Sequence, residues 1–377
     1  MTETQDAVPP TLMGLVKAFS PSGHERPAVD FLVGRMQALG FTRAFVDGAG
    51  NAVGVMGSGP RQAVLLGHID TVPGEIPVRV ETDPQAGLLM FGRGSVDAKG
   101  PLAAFTDAAA ALGPLDDWTL IVIGAVGEEG DSEGARYAQD RYRPEFAVVG
   151  EPSGWERITL GYKGSAWVRL TVRRQLTHGA SPNQTPSEAV VEAWQALRAW
   201  ADEYNASKPR AFDQVRPGLR GLESGGDGFE SWAAIQVATR LPLELGPEAW
   251  YARLGCLPAL AGMPGLSIER TGFPIPAYRG EKNTPLVRAF LAGIRADGGQ
   301  PGFLLKTGTA DLNLVAPAWS CPALAYGPGD SALDHTPDEH LSVEEYARSV
   351  RILTHALRAC LLEAEPGRSG AVPSAAG

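Results

Sequence analysis

The sequence Leu65-Leu66-Gly67-His68-Ile69-Asp70-Thr71-Val72-Pro73 decides the fold, because an apolar run ends here in two polar side chains. The run over residues 63–66 is typical of a short buried strand. His68 and Asp70 follow it, and side chains two positions apart on an extended backbone point to the same side. The Asp70 carboxylate can therefore orient the His68 imidazole, as a metal-binding histidine requires. Such a pair alone is more often a structural hydrogen bond, so the interpretation depends on the rest of the chain.

The composition excludes several classes of protein. The chain has 377 residues, of which 44% are hydrophobic, enough for one large domain or two. A net charge of −10 and a pI of about 5.2 argue against nucleic acid or an anionic membrane as the main partner. Three widely spaced cysteines predict a reduced, cytoplasmic protein without a disulfide framework. Residues 1–10 lack a signal pattern, and no apolar run approaches the ~20 residues that cross a bilayer.

Acidic residues recur at points where a predicted strand ends and a helix begins. Two neighbouring carboxylates at the end of a buried strand are unusual, because like charges repel and burial is costly. Each acidic residue alone could cap a helix or lie in an exposed turn. Because the carboxyl ends of strands meet at one edge of an α/β sheet, we predict a shared site there. The residues in these positions are His68, Asp97, Glu128, Glu129 and Glu151.

The order of strands and helices predicts an α/β domain interrupted by a smaller α+β domain. The first domain comprises residues 1–156 and 281–364, the inserted domain residues 157–280, and a disordered tail residues 365–377. Within the inserted domain, residues 207–228 are rich in Gly, Pro and charge and are interpreted as a loop.

The closing helix is predicted over residues 342–362. Ser342 stands at its N-cap and Glu345 three positions later, which is the pattern of a capping box. Each of these side chains would then accept a hydrogen bond from the other's backbone amide.

The candidate metal ligands are two imidazoles and three carboxylates without a thiolate, a set that suits Zn²⁺ and also Co²⁺ or Mn²⁺. If one carboxylate bridges, five side chains can hold two ions and leave positions for water. Two such ions lower the pKa of a shared water and polarise a carbonyl. Of the neighbouring carboxylates Glu128 and Glu129, the one that does not bind metal would act as general base. This is chemistry for amide hydrolysis. The five candidates are His68, Asp97, Glu129, Glu151 and His335.

Five motifs resemble the dinuclear zinc amidohydrolases, the superfamily of acetylornithine deacetylase, succinyl-diaminopimelate desuccinylase, aminoacylase and carboxypeptidase G. They occur in order along nearly the whole chain, at residues 67–72, 92–100, 128–130, 150–152 and 334–336. The resemblance implies a three-layer zinc-peptidase domain with an inserted lid and dimerisation domain. It also implies two Zn²⁺ per subunit, with Co²⁺ able to substitute.

The resemblance assigns a role to each residue of the site. Glu128 would be the general base, Asp70 would orient His68, and the Asp97–Ala98 peptide would be cis. His178 would reach the partner subunit's site and stabilise the tetrahedral oxyanion, with a polar loop histidine as the alternative. The implied metal ligands are His68 and Glu151 for one zinc, Glu129 and His335 for the other, and Asp97 as the bridge.

Within this superfamily the chain is most similar to the hydrolases that release lysine or ornithine from the carrier protein LysW in lysine biosynthesis. The similarity lies in residues 306–313 and 326–331, where Ala310-Asp311-Leu312 replaces the more common Ser-Asp-Met. It implies an acidic carrier as partner and a homodimer formed through the lid. Arg240 resembles the family arginine that binds the substrate carboxylate, although a surface role fits equally. The implied substrate-binding residues are Arg240, Lys306, Thr307, Gly308 and Thr309.

We hypothesise that part of one basic stretch lines the path for the acidic tail of such a carrier. Residues 157–174 contain five cations and no acidic residue, although the whole chain is acidic. We therefore predict that charge reversal at Arg173 and Arg174 raises KM for a carrier-linked substrate and spares a small acetylated amino acid. The five cations are Arg157, Lys163, Arg169, Arg173 and Arg174.

Two other functions stay open on the sequence. A deacetylase of N-acetylornithine or N-acetyl-lysine would use the same site on a small molecule. A non-catalytic amino-acid-binding homologue would keep the fold, but it has no need of an unligated Glu128 beside the metals. Replacing Glu128 by Ala or Gln separates an enzyme from a non-catalytic binder, because an enzyme loses its turnover whereas a binder keeps its ligand affinity.

Overall fold

The computed structural model describes residues 7–362, and the tail predicted at residues 365–377 lies outside this range. The strands, in chain order, are β1 Arg43–Val46, β2 Ala52–Gly57, β3 Arg61–His68, β4 Arg79–Asp83, β5 Gly87–Phe91, β6 Trp118–Ala125, β7 Phe146–Gly150, β8 Arg157–Tyr162, β9 Gly164–Gln175, β10 Arg216–Gly226, β11 Glu230–Leu241, β12 Leu266–Ile275, β13 Tyr278–Arg279, β14 Gly302–Lys306, β15 Ala323–Ala325 and β16 His340–Ser342. The helices are α1 Pro10–Lys17, α2 Arg26–Ala38, α3 Lys99–Leu112, α4 Glu133–Gln139, α5 Pro186–Asn205, α6 Pro247–Gly255, α7 Pro258–Ala261, α8 Pro285–Ala296, α9 Leu312–Trp319 and α10 Val343–Leu362. None of these helices combines the length and the apolar character needed to cross a membrane.

The larger sheet has the strand order β1-β2-β6-β3-β7-β15-β8-β13, with β14 beside β8. β3 lies in its interior, parallel to β6 and β7. Ala63 and Leu65 pack into the core shared with α1, α2, α3, α8 and α10, whereas Val64 and Leu66 pack into the core shared with α4 and α9. Burial of both faces explains the unbroken apolar run of this strand. The predicted α/β domain is therefore a three-layer structure.

The lid sheet has the order β10-β11-β9-β12, and its strands are antiparallel. The helices α5, α6 and α7 cover one face, where Val168 and Leu170 of β9 join their core. Alternate side chains of the same strands therefore point to the other face. We call this the open face of the lid sheet, and it carries Trp167, Arg169 and Arg173 of β9 with Gln236 and Arg240 of β11.

Strand β10 corrects the prediction of a loop over residues 207–228. It pairs with β11 along its length, with a bulge between Leu219 and Gly221. Its side chains are mostly exposed, so it lacks the hydrophobic alternation by which strands are predicted. The backbone ladder to β11 places this segment at the edge of the sheet, where exposed polar side chains are tolerated.

The start of α10 also differs from the prediction. The Glu345 amide donates to Ser342 Oγ at 3.3 Å, so one half of the capping box forms. The Glu345 carboxylate, however, accepts hydrogen bonds from the amides of Gly329 and Trp155 at 2.9 and 3.1 Å. This carboxylate therefore anchors the segment that leads to His335 instead of closing its own helix.

Candidate metal centre

Loops at the carboxyl ends of parallel strands bring the predicted ligands together. His68 ends β3, and Glu151 directly follows β7. Glu129 lies in the turn after β6, and Asp97 lies just ahead of α3. His335 adopts a left-handed backbone conformation, with φ of 62°, in the loop between β15 and β16. Such a conformation is costly for a side chain other than Gly and is often found at functional sites.

The orientation of His68 is set by its own strand. Nδ1 lies 3.0 Å from the Asp70 carbonyl oxygen, and Nε2 lies 3.1 Å from Asp97 Oδ1. When Nδ1 donates to the carbonyl of Asp70, the lone pair of Nε2 faces a carboxylate oxygen. A cation between these two acceptors, or a second proton on the ring, resolves the conflict. Burial opposes a charged ring, but hydrogen bonds with Asp70 and Asp97 outweigh it and raise the pKa of His68 well above its ordinary value.

Asp97 lies between two imidazoles. Its Oδ1 is 3.1 Å from His68 Nε2, and its Oδ2 is 3.1 Å from His335 Nε2. His335 Nε2 also lies 2.9 Å from Glu129 Oε1. Hydrogen bonds with Asp97 and Glu129 raise the pKa of His335 to about 10. The peptide bond that follows Asp97 is cis. One carboxylate thus spans two candidate nitrogen ligands, as a bridging ligand must.

Two groups of three side chains bring their donor atoms within 4.8 Å of one another. One group contains three of the ligands predicted from the sequence. The other contains Glu128, which was predicted as the general base and not as a ligand. Glu151 belongs to neither group, although it is buried and lines the same cavity. The groups are Asp97, Glu129 and His335, and His68, Glu128 and Glu129.

The electrostatics of this region fit bound cations. Burial raises the pKa of Glu128 well above its ordinary value, and burial together with the charge of Asp97 raises the pKa of Glu151 to about 8. Among the described residues lining the cavity, five carboxylates face only two permanent cations, Arg240 and Lys306. Gathering buried like charges is unfavourable without a counter-ion. The mixed nitrogen and oxygen donors suit divalent transition metals.

Asp70 contacts more than His68. Its Oδ1 lies 3.5 Å from His68 Nδ1, farther than its own carbonyl oxygen. The same carboxylate accepts hydrogen bonds from the amides of Glu128 and Glu129 at 3.0 and 3.1 Å, and Ser22 Oγ donates to it at 2.7 Å. The predicted orienting role is thus shared with the Asp70 carbonyl, while the carboxylate also positions the turn that carries both glutamates.

The cavity has a volume of about 570 Å³ and lies between the larger sheet and the lid sheet. Arg240 Nη1 donates to Thr309 Oγ1 at 2.6 Å, so the lid contacts the loop after β14 directly. Lys306 Nζ donates to the carbonyl of Pro152. All the predicted substrate-binding residues line this cavity, namely Arg240, Lys306, Thr307, Gly308 and Thr309.

His178 stands apart from the cavity of its own chain. It is exposed in the loop after β9, where its Nδ1 accepts a hydrogen bond from the Ala180 amide at 3.2 Å. It is absent from the described residues that line the cavity. A role in a partner subunit's site stays a prediction.

The basic stretch over residues 157–174 does not form one surface. Lys163 is buried and donates to the carbonyls of Ala211 and Gln214. Arg174 lies on the helix-covered side and bonds to Gln184, whereas Arg169 on the open face pairs with Glu223. Strand alternation separates neighbouring cations, so only Arg169 and Arg173 of the stretch share the open face, and a role of part of it in carrier binding stays a prediction.

A buried ion pair that the sequence analysis missed supports the candidate ligands. Arg93 Nη1 lies 2.8 Å from Glu339 Oε2, and the side chains are 7% and 1% exposed. Glu339 Oε1 accepts hydrogen bonds from the amides of Val96 and Asp97 at 2.9 and 3.1 Å. Arg93 also donates to the Thr336 carbonyl at 3.1 Å. The pair connects the loop of Asp97 to the loop of His335, and its only sequence signal was that Arg93 falls within the motif at residues 92–100.

Tyr162 and Asp334 also line the cavity without having been predicted as site residues. The Tyr162 hydroxyl and Asp334 Oδ1 are buried and lack a hydrogen-bond partner among the described residues. Burial raises the pKa of Asp334 to about 8. Because Asp334 directly precedes His335 in a quoted motif, its position could have been inferred, whereas nothing in the sequence marked Tyr162.

Comparisons with known proteins agree with this geometry. The model of Peptidase family M20/M25/M40 matches residues 64–359. A [LysW]-lysine hydrolase of Deinococcus radiodurans is 45% identical, covering 95% of this chain and 98% of its own length. A [LysW]-lysine/[LysW]-ornithine hydrolase of Saccharolobus islandicus is 25% identical, covering 89% of this chain and 90% of its own. The M20 metallo-carboxypeptidase Sso-CP2 of Sulfolobus solfataricus shares the fold, with a TM-score of 0.73 at 17% identity over 92% of this chain and 98% of that chain. The chain belongs to Peptidase family M20/M25/M40 and is a metal-dependent hydrolase.

Proposed function

We propose that this hydrolase releases lysine from the carrier protein LysW by cleaving the amide that joins them, with ornithine as the second candidate product. The observation that carries the proposal is the cluster in which Asp97 lies 3.1 Å from both His68 and His335. It occurs in a chain that is 45% identical to a [LysW]-lysine hydrolase over 95% of its length. Both features are needed, because the cluster supports amide hydrolysis and the similarity supports the substrate.

The proposed cofactor is a pair of zinc ions, with cobalt able to substitute. Bound there, two such ions would lower the pKa of a water molecule and polarise the amide carbonyl. The side chains that would hold them are His68 and Glu151 on one side, Glu129 and His335 on the other, and Asp97 between them.

Glu128 is the proposed proton carrier. Its carboxylate donor atom lies within 4.8 Å of those of His68 and Glu129. Burial raises its pKa well above the ordinary value, so the carboxyl can hold a proton taken from water and pass it to the amide nitrogen. The second transfer is required because the nitrogen would otherwise leave as an amide anion, which is a poor leaving group, whereas the protonated nitrogen leaves as a neutral amine. Asp70 supports these steps because its carboxylate accepts a hydrogen bond from the backbone N–H of Glu128 at 3.0 Å and so positions that residue.

Arg240 is the proposed anchor for the carboxylate of the released amino acid. It lines the cavity from the lid, and its guanidinium is held by the Thr309 hydroxyl at 2.6 Å. A guanidinium can bind a carboxylate through two parallel hydrogen bonds. This arrangement would keep the amino group of the amino acid turned toward the metal side of the cavity.

We also propose a homodimer formed through the lid. β10 is an edge strand, and Leu219, Leu222 and Val191 beside it are 39%, 58% and 42% exposed. Exposed apolar side chains along an unpaired strand edge favour pairing with another chain. His178 of one subunit would then reach the cavity of its partner. Analytical ultracentrifugation tests the proposed homodimer. A protein that sediments as a monomer at micromolar concentration would contradict it.

The function is tested by incubating the zinc- or cobalt-loaded protein with four substrates: LysW-linked lysine, LysW-linked ornithine, N-acetyl-lysine and N-acetylornithine. We expect free lysine to appear fastest from the carrier-linked substrate, and no release after treatment with a chelator. Faster cleavage of the acetylated amino acids would establish a small-molecule deacetylase. If none of the four is cleaved, the proposed substrate is wrong.

A further inference from the structure

Three arginines lie next to one another on the open face of the lid sheet. Arg216 and Arg240 are directly opposite each other on β10 and β11. Two positions along, Gly218 lies opposite Ala238. The Arg220 side chain crosses this glycine, because a β-carbon added to Gly218 would lie 3.7 Å from Arg220 Nε. We call Arg216, Arg220 and Arg240 the arginine cluster.

Arg216 and Arg220 of the arginine cluster form no ion pair among the described residues, in contrast with other arginines of the lid, whereas Arg240 faces the carboxylates of the cavity. Arg169 on the same face pairs with Glu223, and Arg270 pairs with Glu248. Within residues 7–362, no ion pair involves Arg216, Arg220 or Arg240, and the first two are exposed. Because like charges repel, Arg216 and Arg220 beside Arg240 are unfavourable at the outer end of the cluster unless a further anion joins them.

The cluster connects the cavity to the outside of the molecule. Arg240 lines the cavity wall, whereas Arg216 and Arg220 lie on the edge strand of the sheet. Arg216 points to the open face, as Arg240 opposite it does, so backbone pairing of this strand in the proposed homodimer does not use its side chain. A cavity of about 570 Å³ admits a group of amino-acid size but no folded protein. A substrate carried by a protein must therefore enter on an extended arm while the carrier rests outside, so the arm has to pass the walls of the entrance.

We propose that the arginine cluster is the docking surface for an acidic polypeptide segment of the carrier, next to the residue that bears the amino acid. The inference rests on the proposed function, because it assigns the protein part of that substrate. Guanidinium groups bind carboxylates in paired hydrogen bonds, and a row of them suits a chain with several acidic side chains. The net charge of −10 repels an acidic partner at long range, so its attraction has to be local.

The double charge reversal Arg216→Glu/Arg220→Glu tests this surface. Its matched control is Arg198→Glu/Arg253→Glu, since Arg198 and Arg253 are exposed on the helices that cover the opposite face. Both variants change the net charge equally. Each is made in the metal-loaded Glu128→Gln protein, so that substrate binds without being cleaved. Binding is measured for LysW-linked lysine and for a synthetic peptide of glutamates, at low and at physiological salt.

Reversal within the cluster should weaken both affinities roughly ten-fold or more and flatten their salt dependence, while the control stays within about two-fold. If both affinities stay within about two-fold of the control, the surface is rejected. The glutamate peptide makes the test independent of the proposed function: if its binding depends on the cluster but the unmodified chain never cleaves LysW-linked lysine, only the function fails. A single-stranded oligonucleotide that binds the cluster more tightly than the peptide would overturn the choice of a polypeptide.

Discussion

The candidate metal centre and the arginine cluster face one cavity but are built in opposite ways. The metal centre gathers mostly buried or half-buried carboxylates and imidazoles, with His335 exposed, from five separate segments, whereas the arginine cluster comes from two adjacent strands and is exposed at its outer end. Charges interact strongly where water is excluded and are screened by salt at the surface. Changes at the first region should therefore alter chemistry and metal binding, and changes at the second should alter recognition alone.

The largest expected effect breaks the chemistry without removing the metals. Glu128→Gln should lower turnover about 10³-fold, the size of a general-base contribution, and should retain both ions. Glu151→Gln should instead lose one ion, because it removes a proposed ligand. Turnover and metal content by mass spectrometry separate the two roles. Loss of an ion from Glu128→Gln would mean that Glu128 ligates beside His68, as their shared donor group allows.

A second prediction concerns the support beneath the metal centre. Glu339→Gln leaves Arg93 buried without its charge partner and weakens the bonds to the amides of Val96 and Asp97. We expect unfolding free energy to fall by about 3 kcal/mol and metal affinity by roughly 10-fold or more. Denaturant unfolding and competition with a metal-binding dye measure these changes.

The control for this prediction is Glu145→Gln, which breaks the exposed ion pair with Arg61, where the side chains are 34% and 47% exposed. That change should shift unfolding free energy by less than about 1 kcal/mol and leave metal affinity unaltered. Equal metal affinity in both variants would show that the Arg93–Glu339 pair contributes only to stability.

A third prediction concerns the junction between the larger sheet and the lid sheet, which carry the two regions. Lys163 connects β8 of the larger sheet to β9 of the lid, and burial lowers its pKa to about 8 from 10.5. Between these values the unfolded chain binds more protons, so stability rises with pH, by up to about 1.4 kcal/mol per unit. Lys163→Met should flatten this rise between pH 8 and 10.5, whereas exposed Lys282→Met should not. Identical pH dependence of denaturant midpoints in all three proteins would refute the prediction.

Much of the catalytic architecture was predictable because its signals are local. β3, β6 and β7 are buried on both faces, so unbroken apolar runs mark them. The acidic residues Asp70, Glu128 and Glu151 follow the ends of these strands within three positions. β10 was missed because an exposed edge strand is held by backbone hydrogen bonds and shows no hydrophobic period.

The sequence by itself determined which donor groups exist, their order along the chain and the class of ion that they suit. Only the tertiary structure decided which of them face each other. It placed Glu128 rather than Glu151 in the donor group of His68, and it joined the Glu339 carboxylate to the Asp97 amide across 242 positions. It also placed neighbouring cations of residues 157–174 on opposite faces of the lid sheet, and it brought Arg216, Arg220 and Arg240 together. Such contacts depend on strand order and on the face to which each side chain points, which no local pattern specifies.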